Sequence, residues 1–271
     1  MERYNALSTV TVDPDEPRDS LILRRYLLQQ SFTLEMAAAL CLEAENAQRC
    51  KQEQAALFTR VGDPVYVRTM MVKEISLTLL NYIIDHNPRY LDGVAGYDWE
   101  YCFTHKQEIM DLLENCALIH DAGKFFCMDI VANSSRSLTD DEFELIKYHP
   151  QHFSSFYHSG MGPAIQCIRD CAELHHLWCN EAGGYPRKAH TFNKLFVNVL
   201  TIADCIDAAT DNIGRPYGLG KTFEQVRAEF DRDRDVRYSG YISELLHEEE
   251  SQRKIEYIIC DRRRDIYCDI Y

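Results

Sequence analysis

Imidazole and carboxylate groups gather at four places in the chain. His120 and Asp121 lie in ALIHDAGK, His149 in IKYHP, His175 and His176 in AELHHLWCNEAGGYP, and Asp204 in LTIADCIDAATD. Imidazole with carboxylate, and no thiolate, suits borderline transition metals such as iron, manganese or zinc at hydrolytic sites. An adjacent His-Asp pair serves such chemistry when the imidazole binds one ion and the carboxylate bridges to a second. Taken singly each group is ordinary, because a lone helical histidine is more often a hydrogen-bonded core or surface residue. The ordered set carries the signal: HD-x-GK, then K-x-HP, then HH followed by GGYP, then AD in an apolar helix.

These groups need helices to position them, and the chain reads as all-α. Glycine and proline are few, and strand-like alternation is nearly absent. Residues 20–60, rich in Leu, Ala, Glu and Gln, predict a packed N-terminal helical hairpin, with a dimerisation or signalling helix as the second reading. Val61-Gly62-Asp63-Pro64 breaks that run, so residues 1–60 are expected as an extension and 61–271 as the domain proper. A helix follows from Val65 to about Asp85 and stops at Asn87-Pro88, since a residue before proline is pushed out of the α region. Thr104 with Gln107 predicts a capping box opening a helix to about His120, and Thr139 with Glu142 a second one running into His149-Pro150. Further helices read from about Pro163 to His176, from Asn193 to Thr210, and from Phe223 onward. The mixed-charge C-terminal stretch reads as a solvated amphipathic helix.

Composition sets limits on partners. The 271 residues carry a net charge of −14, which disfavours duplex nucleic acid, whose phosphates need a basic face. A small anionic substrate remains compatible, because bound metals reverse the local field. No apolar run approaches the ~20 residues that cross a bilayer, and the start of the chain has no basic flank before an apolar stretch, so the expectation is a cytoplasmic protein without membrane contact. The eleven cysteines are scattered, odd in number and lack a Cys-x-x-Cys pair. They read as reduced and mostly structural, small hydrophobes in helices.

The ordered motifs resemble the HD-GYP branch of the HD-domain metal-dependent phosphohydrolases over roughly residues 61–250, continuing after Asp204 as DAATDNIGRPYGLGKTFEQ. The resemblance implies an HD-domain-like helical bundle and hydrolysis of cyclic di-GMP, or a related cyclic nucleotide, at a centre of divalent ions (iron, manganese or another metal, two if active). It implies His120, Asp121, His149, His175, His176 and Asp204 as metal ligands, with Asp121 bridging. Lys124 matches the family lysine near the scissile phosphate and, with Asp121, makes up the catalytic pair. Gly184-Tyr185-Pro186 matches the GYP triplet. Arg215 falls at a guanine- or phosphate-contacting position, Lys221 is a looser candidate for the same work, and Tyr185, like Trp178, either stacks on a base or packs the loop.

The chain departs from the family in two places. Active members carry a further histidine on the preceding helix, and the best placement here puts Arg68 at that position. His105 is no substitute, being about 22 Å from His120 along the helix. In the second place Leu177 follows the histidines where a glutamate is usual, and Asn180-Glu181 replace Asp-Gly in a loop about one residue longer. Glu181 reads as a loop carboxylate or as one reaching the metals. These departures leave a second reading beside the enzyme: a catalytically degenerate module that binds a nucleotide or a protein partner in signalling. Asp207 and Asp211, one and two turns beyond Asp204, are expected to hydrogen-bond locally or to support a ligand.

Overall fold

A computed structural model describes residues 63–127, 137–154, 162–185, 189–213 and 219–270. The expected N-terminal hairpin, the boundary at residue 60 and Arg215 lie outside the described residues.

Helix α1 (Asp63–His86) runs through the centre. Met71, Val72, Ile75, Leu79, Leu80, Ile83 and Ile84 are all fully buried along it. Their spacing mixes i+3 and i+4 steps with adjacent pairs, so the apolar arc is too wide for one neighbour. Helices α3 (Lys106–Ile119) and α7 (Lys194–Thr210) cover it from two sides. Each aliphatic side chain so buried contributes about 1.5–3 kcal/mol. The helix stops where read, and Pro88 opens a short 3-10 turn, Pro88–Leu91.

The capping box at Thr104 does not form. Thr104 instead ends a short helix, α2 (Trp99–Thr104), capped by Asp98, whose carboxylate accepts the Tyr101 N–H at 2.7 Å. The Thr104 hydroxyl turns back to donate to the carbonyls of Glu100 and Tyr101, and α3 starts from His105 without a side-chain cap. Thr139 behaves as its sequence predicts. Its hydroxyl accepts from Glu142 N–H, and the Glu142 carboxylate accepts from Thr139 N–H, opening α4 (Asp140–Ile146). Helices α5 (His149–Ser154) and α6 (Pro163–Leu174) follow.

After α7 the chain is more divided than one continuous run. A capping box of Thr222 and Gln225 opens α8 (Phe223–Arg232). Then come α9 (Gly240–Leu245), α10 (Glu249–Tyr257), a π turn (Ile258–Arg262) and α11 (Arg263–Ile270). The amphipathic C-terminal stretch lays Ile255, Ile258, Ile259, Ile266 and Tyr267 into the core and docks on α1. Arg262 pairs with Glu74 of α1 at 2.9 Å. Among the described residues strand pairing is limited to isolated bridges, Leu177 with Gly184 and Arg234 with Tyr238, and the fold is all-α. No helix among them is long and apolar enough to cross a membrane.

Candidate metal centre

Three helix ends meet the middle of α7. His120 is the C-cap of α3 and His175 the C-cap of α6. His149 is the first residue of α5, and Asp204 lies within α7. The C-terminal ends of α3 and α6 bring carbonyl dipoles of negative sense to the same place as the two carboxylates, which favours a cation there.

Each of three imidazoles is held through Nδ1 by a backbone carbonyl three residues back, on its own helix for His120 and His175 and at the end of α4 for His149. Nδ1–H of His120 donates to the Ala117 carbonyl at 2.6 Å, that of His149 to Ile146 at 2.6 Å, and that of His175 to Ala172 at 3.0 Å. Because a carbonyl only accepts, the proton sits on Nδ1 and the Nε2 lone pairs point into the centre. Nε2 of His149 lies 3.2 Å from Nε2 of His175 and 3.1 Å from Asp121 Oδ1, and Nε2 of His175 lies 3.6 Å from that oxygen. Three acceptors thus converge with no proton between them.

The donor set fits a cation. Two donors bound at about 2.1 Å to one ion lie about 3.0 Å apart at a right angle and about 3.4 Å apart in a tetrahedron, close to the spacings found here. Asp121, His149, His175 and His176 form one four-donor group, and His120, Asp121 and Asp204 a three-donor group sharing Asp121. The second is looser: His120 Nε2 is 3.6 Å from Asp121 Oδ2 and 4.0 Å from Asp204 Oδ1. His176 Nδ1 stands 4.0 Å from Asp204 Oδ2. Nε2 of His120 and of His176 are buried with no hydrogen-bond partner among the described residues, and a buried nitrogen left bare is costly unless something binds it.

Lys124 closes the arrangement, its ammonium 2.5 Å from Asp121 Oδ2. Burial opposes the charge on Asp121, but the Lys124 ammonium beside it holds its carboxyl well below the usual range. Burial pushes His120 and His176 down, and lowers His149 to about 4, so these rings stay neutral as ligands must.

That depression has a measurable sign. An unfolded histidine binds its proton near pH 6.5, whereas folded His149 resists until about 4. Between those values the unfolded chain holds more protons, so stability falls as pH falls. Chelator-stripped protein should lose about 2 kcal/mol between pH 7 and pH 5 through His149 alone. Urea unfolding at the two pH values measures it, and a His149→Gln protein should show a visibly flatter dependence.

Glycines allow the close approaches. A Cβ on Gly123 would overlap the His149 carbonyl, so only glycine lets the turn Ala122–Cys127 lie against α5. Gly123→Ala should cost about 2 kcal/mol or more in urea unfolding and loosen the centre by moving His149. Gly184 has φ +82°, and a Cβ there would overlap the His176 carbonyl. It sits in a reversal in which Tyr185 N–H donates to the His176 carbonyl, and this lays the Tyr185 ring 4.5 Å from that of His176. Burial, then the Asp204 and Asp121 charges, push the Tyr185 hydroxyl above its ordinary range.

Other candidates are placed elsewhere. Glu181 adopts φ +60°, and its carboxylate faces His190 and Lys194. Trp178 packs the loop, with Gly183 against its ring and the Arg237 guanidinium 5.8 Å from it. The Lys221 ammonium binds both oxygens of Glu229 at 2.7 and 2.8 Å. Arg68 lies on α1, and its charge is felt at the Tyr267 hydroxyl of α11. Sequence reasoning missed Arg263, buried against Asp207 at 2.8 Å, and a cluster of Cys116, Cys167 and Cys171. The only signal for the cluster was the i, i+4 spacing of the last two.

No protein-family model matches the chain. The chain is 29% identical over 136 residues to cyclic di-GMP phosphodiesterase PA4108 of Pseudomonas aeruginosa, a match covering 48% of this chain and 32% of that protein. It is 24% identical over 140 residues to the 3'3'-cGAMP-specific phosphodiesterase 2 of Vibrio cholerae, covering 51% of this chain and 26% of the relative. The chain thus spans well under half the length of either relative. A histidine–carboxylate cluster able to hold metal, in an all-α bundle, accompanies distant similarity to two proteins named as phosphodiesterases.

Proposed function

We propose that the chain is a divergent HD-GYP-type, metal-dependent phosphodiesterase acting on a cyclic dinucleotide such as cyclic di-GMP. The convergence of bare imidazole nitrogens on the Asp121 carboxylate at ion-binding spacing supports this most directly, and the similarity to named cyclic-dinucleotide phosphodiesterases agrees with it. His149, His175 and His176 would hold one divalent ion and His120 and Asp204 the other, with Asp121 bridging. When bound, such a pair supplies Lewis-acid polarisation of the phosphodiester and acidifies water to a nucleophile near neutral pH.

This chain's own residues do the rest. Lys124 offsets the Asp121 charge and stands partly exposed beside it, placed to meet the charge that builds on phosphoryl oxygens. Tyr185 walls the centre over His176 and, with its hydroxyl held protonated, can donate a hydrogen bond but not serve as a base. Arg215 would dock a second phosphate or a guanine through its planar donor fork. Lys221, bound to Glu229 and exposed, would act only by exchanging that partner. Arg68 would mark the position where active members carry another histidine.

One observation favours the second reading, a module that binds nucleotide without turnover: the His120 group offers three donors at wider spacing than the His149 group. Metal analysis of protein purified without chelator, with turnover of cyclic di-GMP and 3'3'-cGAMP, separates the two. Two equivalents of iron or manganese and product formation support the enzyme. One equivalent with nucleotide binding and no product supports the module. No metal after reconstitution rejects both centres.

A further inference from the structure

One turn behind the imidazole layer, three thiols meet. Cys116 of α3 precedes His120 by one turn, and Cys171 of α6 precedes His175 by one turn, with Cys167 a turn further back. All three are fully buried, all are free thiols, and their sulfurs lie within 4.8 Å of one another. Buried Cys102 is different, since its thiol donates to the Leu91 carbonyl as an isolated core group does.

We propose that Cys116, Cys167 and Cys171 form an all-sulfur site for the soft monovalent cation Cu(I), separate from the histidine–carboxylate centre. Sulfur donors select soft ions, whereas imidazole and carboxylate suit borderline ones, so the two layers would sort metals by chemistry. Donors about 2.3 Å from a common ion lie about 4.0 Å apart in a trigonal plane, which side-chain rotation reaches from the present spacing. Structural zinc takes four ligands almost without exception. Three sulfurs closed off from water suit a three-coordinate ion better. Each thiol that binds the ion as a thiolate releases its proton, and the monovalent ion offsets one of the charges so formed. Asp170, the acidic side chain felt at Cys116, is taken up by Thr191 and Asn193.

Backbone contacts join the layers: the Cys116 carbonyl accepts the His120 N–H at 2.9 Å, and the Cys171 carbonyl accepts from His175 Nδ1 at 3.2 Å. The proposal does not rest on phosphodiesterase activity, and its test reads copper rather than turnover.

Reduced, chelator-stripped full-length protein would be titrated anaerobically with Cu(I) against a chromogenic Cu(I) chelator. Wild type and His149→Gln should each withdraw one equivalent more than Cys167→Ala/Cys171→Ala, and X-ray absorption should show copper with sulfur neighbours only. Equal stoichiometry in wild type and the double variant would overturn the site, since the copper would then sit on other cysteines. Loss in His149→Gln would overturn it too, placing the ion among the imidazoles. Should the double variant fail to fold, alkylation of wild type in mild denaturant serves instead. Bound Cu(I) should slow labelling of the Cys116, Cys167 and Cys171 peptides at least tenfold, and unchanged labelling refutes the proposal.

Discussion

The Asp121→Asn protein should hold less than about a tenth of the wild-type metal and hydrolyse cyclic di-GMP at least about 10³-fold more slowly, yet unfold no earlier than chelator-stripped wild type. Both halves follow from one carboxylate. Asp121 is the only residue common to the two donor groups, so replacing its anion with an amide weakens both. The same change relieves the unloaded protein. Without an ion, Asp121 Oδ1 faces the lone pairs of His149 and His175, three acceptors with nothing to accept from. The asparagine NH₂ can donate to His149 Nε2 while the amide oxygen accepts from Lys124. A site built for function is commonly paid for in stability. Metal analysis, turnover and urea unfolding on one preparation check all three statements. Full metal content in the variant would remove Asp121 from the centre. Marked destabilisation would mean that its charge serves the fold rather than an ion.

The convergence behind this prediction was readable because the residues sit near helix ends or on an apolar helix, where local signals fix the backbone. Pro88 stops α1, the Thr139 capping box starts α4, and the regular run of α3 carries His120 to its C-terminus. Thr104 misled because its hydroxyl has two uses, capping forward or bonding back to the preceding carbonyls, and Asp98 had already supplied a cap two turns earlier in the α2 region. Long charged side chains were the least legible. The sequence positions of Lys221 and Glu181 say nothing of Glu229 or Lys194, because three or four rotatable bonds let each head group choose its partner in space. The thiol cluster needs α3 and α6 side by side, and no periodicity within either helix reports which face meets the other. The Thr222–Gln225 capping box, by contrast, is a local pattern that was present to be read.

Arg263→Met should lower the unfolding free energy by about 3–5 kcal/mol, a larger effect than truncating any exposed ion pair of this protein. Arg263 is 1% exposed and Asp207 2%. A single Arg263 nitrogen, Nη2, serves the Asp207 carboxylate at 2.8 Å, the Asp207 carbonyl at 3.3 Å and the Thr210 hydroxyl at 3.1 Å. Removing the guanidinium takes a buried cation from a buried carboxylate, and that loss exceeds what the pair contributes as a pair. Nε and Nη1 of Arg263 are buried without a partner among the described residues, so the pair is incompletely satisfied and its desolvation is poorly offset. Asp207→Leu/Arg263→Met should therefore recover most of the loss, as apolar replacement of buried pairs often does. The two variants also separate fold from site. Asp207 lies one turn beyond Asp204 on α7, and Arg263 begins α11 just after the π turn. If the clamp sets where Asp204 points, the double variant will regain stability while its metal affinity stays at least about tenfold weaker than wild type. Equal recovery of stability and metal affinity would assign Arg263 to packing alone, with Asp204 held by the rest of α7.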